Sequence, residues 1–254
     1  MHIQTVGLMV NPHRAGLGGL LSRLSEACTE WGIRLLKEPA LHEYVADAHT
    51  VDTQELVATA DALVVVGGDG TILHTVAHAA ERSVPILGVH AGTKGFLAEV
   101  EGEDVAVAIR ALAEGEYQLE QRMLLRMQAE DVAESAYALN DVVISRGSYT
   151  RLIQVDVTVN DTLAGRYEGD GMIVSSPTGS TGYSLSAGGP IIEPSLHCIL
   201  LAPICPHSLQ SRPIVVSDDS VICMKAACPA QGGGMLLTVD GRAPIALPHQ
   251  AQVC

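Results

Sequence analysis

The feature that most constrains this chain is a glycine-rich loop at the end of an unbroken apolar run. Residues Ala62 to Val66 form a short, wholly apolar segment, which suits a parallel strand buried on both faces. The loop Gly67-Gly68-Asp69-Gly70-Thr71 follows directly, and helical spacing of apolar residues covers Ile72 to Ala80. A strand, a glycine loop and a helix in this order predict an open α/β sheet with a ligand at the carboxyl ends of its strands.

The rest of the first hundred residues repeats the alternation of strand and helix. Ile3 to Val10 is β-rich and closes on Asn11-Pro12, and apolar residues then recur at helical spacing from Leu17 to Cys28. Pro85 to Val89 predicts a further strand. We therefore expect a Rossmann-like, doubly wound α/β domain over residues 1–115.

After about Tyr117 the pattern changes to short β-rich runs with no clear helix between them. Such a succession favours an antiparallel, β-sandwich-like domain over residues 116–230. Asn160-Asp161 predicts a hairpin turn inside it. The predicted strands include Met123 to Ala129, Tyr137 to Ser145, Leu152 to Val159, Leu163 to Tyr167 and Met172 to Ser175.

Charge and cysteine usage limit the partners and the compartment. The chain of 254 residues carries 15 Lys and Arg against 29 Asp and Glu, a net charge of −14, which disfavours nucleic acid and anionic membranes as partners. The six cysteines include no C-x-x-C pair, so reduced thiols are expected. With no signal-like start and no long apolar run, we expect a soluble cytoplasmic protein.

The glycine loop has the composition of a phosphate site. Backbone N–H groups at Gly67, Gly68, Gly70 and Thr71 can approach phosphate oxygens without obstruction by Cβ atoms, and the following helix N-terminus favours negative charge. Asp69 lies among them. A carboxylate in this place can take a proton from an attacking hydroxyl or meet phosphates through Mg²⁺. The alternative is a plain turn in which Asp69 caps the helix.

Two further segments have polar compositions that suit a ligand. From Ser175 to Ser184, seven of ten residues carry hydroxyls, which suits a ribose or a carboxamide, with Tyr183 available to stack on a base; a flexible Ser/Gly loop is the alternative. Asn140 and Asp141 lie together in a predicted strand. Such a pair either occupies a sheet edge or faces a ligand, and neither is favoured by the pair alone.

Taken together, these segments resemble NAD kinases in order, spacing and wording. The glycine loop alone also occurs in diacylglycerol-type lipid kinases and phosphofructokinases, whereas the long segment from Asp170 is much more specific. The resemblance spans about residues 60 to 242. The matching segments are Val66 to Thr71, Gly88 to Leu97, Leu139 to Val143, Asp170 to Pro190, Pro203 to Leu209 and Arg212 to Ile214.

The resemblance implies an enzyme that moves a phosphoryl group from ATP, or from polyphosphate, to the adenosine ribose 2′-hydroxyl of NAD and forms NADP. It also implies a divalent metal such as Mg²⁺ and assembly as a homodimer or homotetramer. In addition, it implies that residues 231–254 return to the first domain and bring Asp240 near the cleft.

The resemblance also assigns roles to individual residues. Asp69 would be the base, with Gly70 beside it against the substrate; Phe96 would pack on the adenine; and Asn140 and Asp141 would hold ribose hydroxyls. His74 and Arg151 could pair with the phosphates of the dinucleotide. The nicotinamide side and the two base pockets would be lined by Asp170, Thr178, Thr181, Gly182, Tyr183, Ser184, Leu185 and Ser186.

Three positions depart from the usual family pattern. Asp141 stands where many relatives have Glu, Gly182 where many have Ala, and Glu168 where many have a basic or neutral polar residue. The last difference leaves the choice between NAD and NADH open. Two rival functions are a lipid or sugar kinase with the same loop and a non-catalytic NADP-binding regulator.

Overall fold

The computed structural model describes residues 3–12, 16–92, 95–130, 132–147, 151–228 and 234–254, apart from the side chains of residues 133 and 134. The chain divides into two compact units, Met1–Glu120 and Gln121–Cys254. Among the residues described, every helix is too short or too polar to traverse a lipid bilayer.

The first unit is a parallel six-stranded sheet in the order β3-β2-β1-β4-β5-β6. This order reverses direction between β1 and β4, which is where doubly wound sheets bind ligands. The predicted α/β fold class is confirmed. The strands are β1 Thr5–Val10, β2 Arg34–Lys37, β3 His49–Thr50, β4 Ala62–Gly67, β5 Ile86–His90 and β6 Val100–Glu101, and the helices are α1 Leu17–Glu30, α2 Thr53–Thr59, α3 Asp69–Ala79 and α4 Val105–Glu114.

Helices cover both faces of this sheet, because alternate residues of a strand point to opposite sides. Val64 and its neighbours two residues away share a core with α1 and α4. On the opposite face, the side chains of Leu56 in α2 and Leu63 in β4 pack against the backbone of Gly7. A Cβ at Gly7 would come within 2.4 Å of the Leu56 side chain. Gly7 therefore lets α2 pack directly against β1.

The second unit consists of two antiparallel six-stranded sheets, in the orders β11-β10-β15-β18-β7-β8 and β14-β13-β12-β9-β16-β17. The apolar faces of both sheets meet in one core, which confirms the β-rich prediction. The strands are β7 Leu125–Ala129, β8 Val132–Ala138, β9 Asp141–Ser145, β10 Ile153–Val159, β11 Thr162–Gly169, β12 Gly171–Ser175, β13 Cys198–Ile204, β14 Ile214–Ser217, β15 Ile222–Ala227, β16 Met235–Val239, β17 Ile245–Leu247 and β18 Gln250–Val253, and a short helix, α5 Tyr183–Ser186, follows a 3₁₀ turn, Thr178–Thr181.

The predicted hairpin turn is confirmed. Asn160 and Asp161 both have positive φ angles, 49° and 64°, between the paired strands β10 and β11. Two consecutive residues in the left-handed region form the turn type whose twist matches that of the flanking strands.

Three expectations were wrong. The run Tyr137 to Ser145 is two strands, because the chain leaves the ladder at Leu139 and Asn140. Strands from the segment 231–254 pair with β9, β15 and β7 of the second unit, so this segment completes the second unit's sheets. The cysteines are not all reduced, since Cys223 and Cys254 are bonded across β15 and the end of β18.

Candidate functional site

The glycine loop lies at the start of α3, one residue after the buried strand β4. Gly68 precedes the helix in extended conformation, and its carbonyl accepts hydrogen bonds from the N–H groups of Thr71 and Ile72. Gly70 is exposed, and a Cβ added to it would meet nothing within 4 Å. The N-terminus of α3 therefore has open space in front of its first turn, as an anion site requires.

Asp69 is the first residue of α3, and its carboxylate is fixed by backbone groups. Oδ2 accepts a hydrogen bond from the N–H of Phe96 at 3.0 Å, and Oδ1 accepts one from the N–H of Leu97 at 3.1 Å. A Cβ at Gly95 would come within 2.1 Å of Oδ1, so only glycine allows this approach. The side chain is half-buried, and a carboxylate has lone pairs left after two such bonds.

A cavity of about 450 Å³ opens at the switch point of the first unit. The end of β1 and the segment Asn11-Pro12 form one wall, and the exposed face of α3 forms another. His74 and His78 lie one turn apart on that face, with ring centroids 5.1 Å apart and an edge-to-face arrangement. The lining residues are Met9, Val10, Asn11, Pro12, Glu38, Thr53, Gly70, Thr71, His74, Thr75 and His78.

In the second unit, Asp240 holds the break between β8 and β9. Its carboxylate accepts hydrogen bonds from the N–H groups of Leu139 at 2.7 Å, Asn140 at 2.7 Å and Asp141 at 3.0 Å. These three bonds replace the ladder partners that the strand lacks here. Burial raises the pKa of Asp240, and the three N–H groups and Arg242 act against that rise.

Asp141 presents a largely buried carboxylate next to that of Asp240. Its side chain is 7% exposed, and no donor among the described residues contacts its oxygens. Burial and then the negative charge of Asp240 raise the pKa of Asp141 to about 6. This carboxylate can therefore accept a hydrogen bond from a ligand hydroxyl.

Gly182 lies beside Asn140 and Asp141. A Cβ at Gly182 would lie 3.8 Å from the amide nitrogen of Asn140 and 3.9 Å from Oδ2 of Asp141. The residues that the sequence pattern singled out from two distant segments therefore meet at one place in the second unit.

The hydroxyl-rich segment is mostly an internal framework. Ser184 donates to the carbonyl of Gly179 at 2.9 Å, Ser180 bridges the backbone of Ile192, and Ser176 donates to the carbonyl of Leu139. All three side chains are fully buried. Ser184, which the resemblance assigns to the pocket lining, is therefore an internal framework residue in this structure.

The end of the segment is more accessible than its start. Thr181 is half-buried, and Tyr183, Leu185 and Ser186 are exposed, whereas Thr178 is buried and accepts a hydrogen bond from Arg122 at 3.4 Å. Burial, followed by the nearby Cys205, Asp170 and Asp141, raises the pKa of Tyr183. Tyr183 consequently keeps its phenolic proton as a hydrogen-bond donor close to these acidic groups.

Asp170 forms an ion pair that sequence reasoning missed. Its Oδ1 lies 2.7 Å from Nε of Arg146, and each side chain is about one-third exposed. The pairing follows from backbone geometry, because the N–H of Arg146 also donates to the carbonyl of Asp170 at 3.0 Å. No spacing in the sequence signals this contact, which depends on the pairing of β9 with β12.

Three assigned residues are exposed in the structure. Phe96 is 78% exposed, an unusual state for an aromatic side chain that leaves its ring free to stack. His74 lines the cavity of the first unit, and Arg151 lies on the surface of the second. Within the described ranges, no group of three or more His, Cys, Asp or Glu residues could hold a metal ion.

A doubly wound domain with an oriented carboxylate in a glycine loop, and a β-rich domain with polar side chains on accessible segments, are the features of a nucleotide-dependent phosphotransferase. Residues 4–117 match the family model of the ATP-NAD kinase N-terminal domain, and residues 139–254 match that of the C-terminal domain. The chain belongs to the NAD kinase family of enzymes.

Relatives and solved structures agree with this assignment. The chain is 36% identical to an NAD kinase of Geotalea daltonii, over 99% of the chain and 89% of that protein, and 44% identical to one of Heliobacterium modesticaldum, over 76% and 67%. It is similar to yeast NADH kinase complexed with NADH, with a TM-score of 0.91, 27% identity, and coverage of 100% of this chain and 80% of that one. An Archaeoglobus fulgidus NAD kinase in complex with ATP gives a TM-score of 0.78 and 26% identity, covering 98% and 89%.

Proposed function

We propose that this enzyme transfers the terminal phosphoryl group of ATP to the adenosine ribose 2′-hydroxyl of NAD and so forms NADP. The observation that carries the proposal is the carboxylate of Asp69, which two backbone N–H groups orient at the N-terminus of α3. The relatives named NAD kinase support the same reaction.

In the proposed reaction the 2′-oxygen attacks the terminal phosphorus of the donor. A new oxygen–phosphorus bond forms, and the bond from that phosphorus to the bridging oxygen breaks, so that ADP leaves with the electron pair. The proton of the 2′-hydroxyl passes to the carboxylate of Asp69. Phosphoryl transfer requires mainly positioning and charge balance, and the exposed backbone of Gly70 at the N-terminus of α3 can contribute to both at the phosphates.

We propose that the second unit binds NAD through the polar side chains grouped around Asn140 and Asp141. Asp141 would accept hydrogen bonds from ribose hydroxyls, Asn140 would pair with polar edges of the ligand, and Tyr183 would stack or donate near Asp170. A hydroxyl is a suitable partner for Asp141 because it donates a hydrogen bond to the carboxylate without adding charge. Thr178, Thr181, Gly182, Leu185 and Ser186 would complete the pocket, and Phe96, His74 and Arg151 would contact the adenine and the phosphates.

A divalent metal such as Mg²⁺ would enter with the phosphates of the donor, because the described side chains offer no cluster of ligands for it. When bound, it would neutralise phosphate charge. On the family resemblance alone, we also propose a cytoplasmic protein that assembles as a homodimer or homotetramer. Light scattering on the purified protein would test the assembly.

The test is a direct assay of NADP formation from NAD, ATP and Mg²⁺. We expect Asp69→Asn to lower kcat by about 100-fold or more, the scale of a lost general base, while NAD binding changes little. Asp104→Asn is the matched control, since Asp104 is an exposed carboxylate at the start of α4 with no side-chain capping bond.

Normal turnover by the Asp69→Asn variant would show that Asp69 is not the general base. Wild-type protein that binds NADP tightly yet forms none would reject the reaction itself. Running the assay with NADH in place of NAD resolves the question that Glu168 raises.

A further inference from the structure

The cavity of the first unit contains a carboxylate that the proposed reaction does not use. Glu38 directly follows β2 and lines the cavity at the switch point, whose opposite wall is the phosphate-facing side of α3. In doubly wound sheets, nucleotides bind at this crevice, and an acidic residue near the site accepts hydrogen bonds from a ribose hydroxyl.

The side chain of Glu38 is held in place from a second element. Its Oε1 accepts a hydrogen bond from the hydroxyl of Thr53, the first residue of α2, which also lines the cavity. No other donor among the described residues contacts the carboxylate of Glu38. An ionised carboxylate can accept about four hydrogen bonds, so the second oxygen can receive a hydroxyl from a ligand.

The neighbouring residue, Lys37, fixes the backbone next to Glu38. Lys37 is fully buried, and its ammonium group donates to the carbonyls of Val45 and, at 3.1 Å, Ala46. Burial lowers the pKa of Lys37, and Asp47 acts against that shift. The loop that leaves Glu38 is thereby tied back to β2, so the carboxylate faces the cavity from a fixed backbone.

These contacts indicate which class of phosphoryl donor the cavity can bind. Negative phosphate groups suit the N-terminus of α3, whereas a carboxylate repels them and prefers neutral hydroxyl donors. A ribonucleotide satisfies both ends of the cavity, because its phosphates and its ribose hydroxyls lie at different parts of the molecule. Inorganic polyphosphate offers only charge.

We propose that Glu38 is a specificity-determining residue that binds the 2′- and 3′-hydroxyls of the donor ribose and selects ribonucleoside triphosphates over 2′-deoxy donors and inorganic polyphosphate. This inference rests on the proposed function, because it names the donor class of the same reaction.

The first test compares ATP, 2′-deoxy-ATP and inorganic polyphosphate as donors at saturating NAD. Since a hydrogen bond to a charged group is one of the stronger kinds, the wild-type enzyme should favour ATP over 2′-deoxy-ATP by about tenfold or more in kcat/KM. Glu38→Gln should reduce this ratio to about threefold or less, mainly through the KM for ATP. Glu55→Gln, which removes an exposed carboxylate of α2, should keep the wild-type ratio.

A second measurement separates failure of this inference from failure of the proposed function. Calorimetric binding of ADP and 2′-deoxy-ADP to the full chain needs no turnover, and the wild-type preference should disappear in Glu38→Gln. Equal use and equal binding of ribo- and deoxyribonucleotides by the wild-type protein would overturn the proposal, even if Glu38→Gln does not fold. Polyphosphate used as fast as ATP would overturn the selection of donor class.

Discussion

Asp141 and Asp240 place two carboxylates together in a largely buried part of the second unit. Asp240 is satisfied by three N–H groups, whereas Asp141 receives no such help from the described residues. An arrangement of this kind costs stability when both groups are ionised. Because the cost falls on Asp141, the free protein carries a strain that a hydroxyl-bearing ligand would relieve.

The raised pKa of Asp141 predicts how stability changes with pH. The pKa of Asp141 is about 6 in the folded state, against an ordinary value of 3.8, so the folded state binds this proton more tightly. The free energy of unfolding therefore decreases as the pH rises from about 4 to about 6. We expect Asp141→Asn to abolish this decrease and to raise the free energy of unfolding at pH 7 by up to about 3 kcal/mol, while weakening NAD binding.

Chemical denaturation at pH 4.5 and pH 7.5 measures this effect. Asp104→Asn should show the wild-type pH dependence, because its carboxylate is exposed. If Asp141→Asn is less stable than wild type at pH 7.5, the carboxylate is not under electrostatic strain.

For single residues, the sequence predicts which side chains carry chemistry better than it predicts the contacts of those side chains. Asp69 stood out because a carboxylate among glycines is unusual after a buried strand. The partners of Asp69, which are backbone N–H groups 27 and 28 residues away, have no side-chain signature. Ser184 lies in a segment whose composition suits a ligand, yet its hydroxyl is buried against a neighbouring carbonyl. Composition alone does not distinguish these two environments.

The turn formed by Thr178–Thr181 is the element whose packing places the ligand-facing residues of the second unit. A Cβ at Gly179 would come within 2.2 Å of the carbonyl oxygen of Asn140, whereas a Cβ at Gly182 would approach the carbonyl oxygen of Gly179 to 3.2 Å and Asn140 only to 3.8 Å. The turn thus lies directly on the break between β8 and β9.

These distances predict a sharp contrast between two alanine substitutions. Gly179→Ala must push the turn off Asn140 and should lower the free energy of unfolding by about 2 kcal/mol, within the range for overpacked sites. Gly182→Ala requires a shift of a few tenths of an ångström and should change it by less than about 0.5 kcal/mol. Denaturant titration of both variants checks this, and equal effects would show that the close approach of Gly179 is not a constraint.

Whole elements were predictable where the pattern is local. The strands around Val64 and Ile153, and the Asn160-Asp161 turn, follow from apolar runs and turn residues. The strand predicted from Tyr137 to Ser145 was wrong because its interruption is caused by Asp240, about 100 residues away. Similarly, α3 begins at Asp69 rather than Ile72, since Gly70, a residue type unfavourable to helices, lies in its first turn.

On the scale of the whole molecule, the disulfide between Cys223 and Cys254 joins residues separated by 31 positions. Spacing did not reveal it, because only the pairing of β15 with β18 brings the two sulfurs together. A cross-link of this span stabilises a folded chain by about 3.7 kcal/mol in the chain-entropy model.

We therefore expect reduction, or the substitution Cys254→Ser, to lower the free energy of unfolding by about that amount. Denaturation with and without dithiothreitol measures it. Cys205→Ser, which removes an exposed free thiol, should respond to the reductant as the wild type does. If the stability of the wild-type protein does not change on reduction, the bond is absent in solution.

The position of β18 also bears on the cohesion of the second unit. Residues 250–253 lie between β15 and β7, so this one short strand joins the two halves of its sheet. Without it, both inner edges would expose unpaired backbone groups. A product that lacks these residues would therefore present two open edges to chaperones or to other chains.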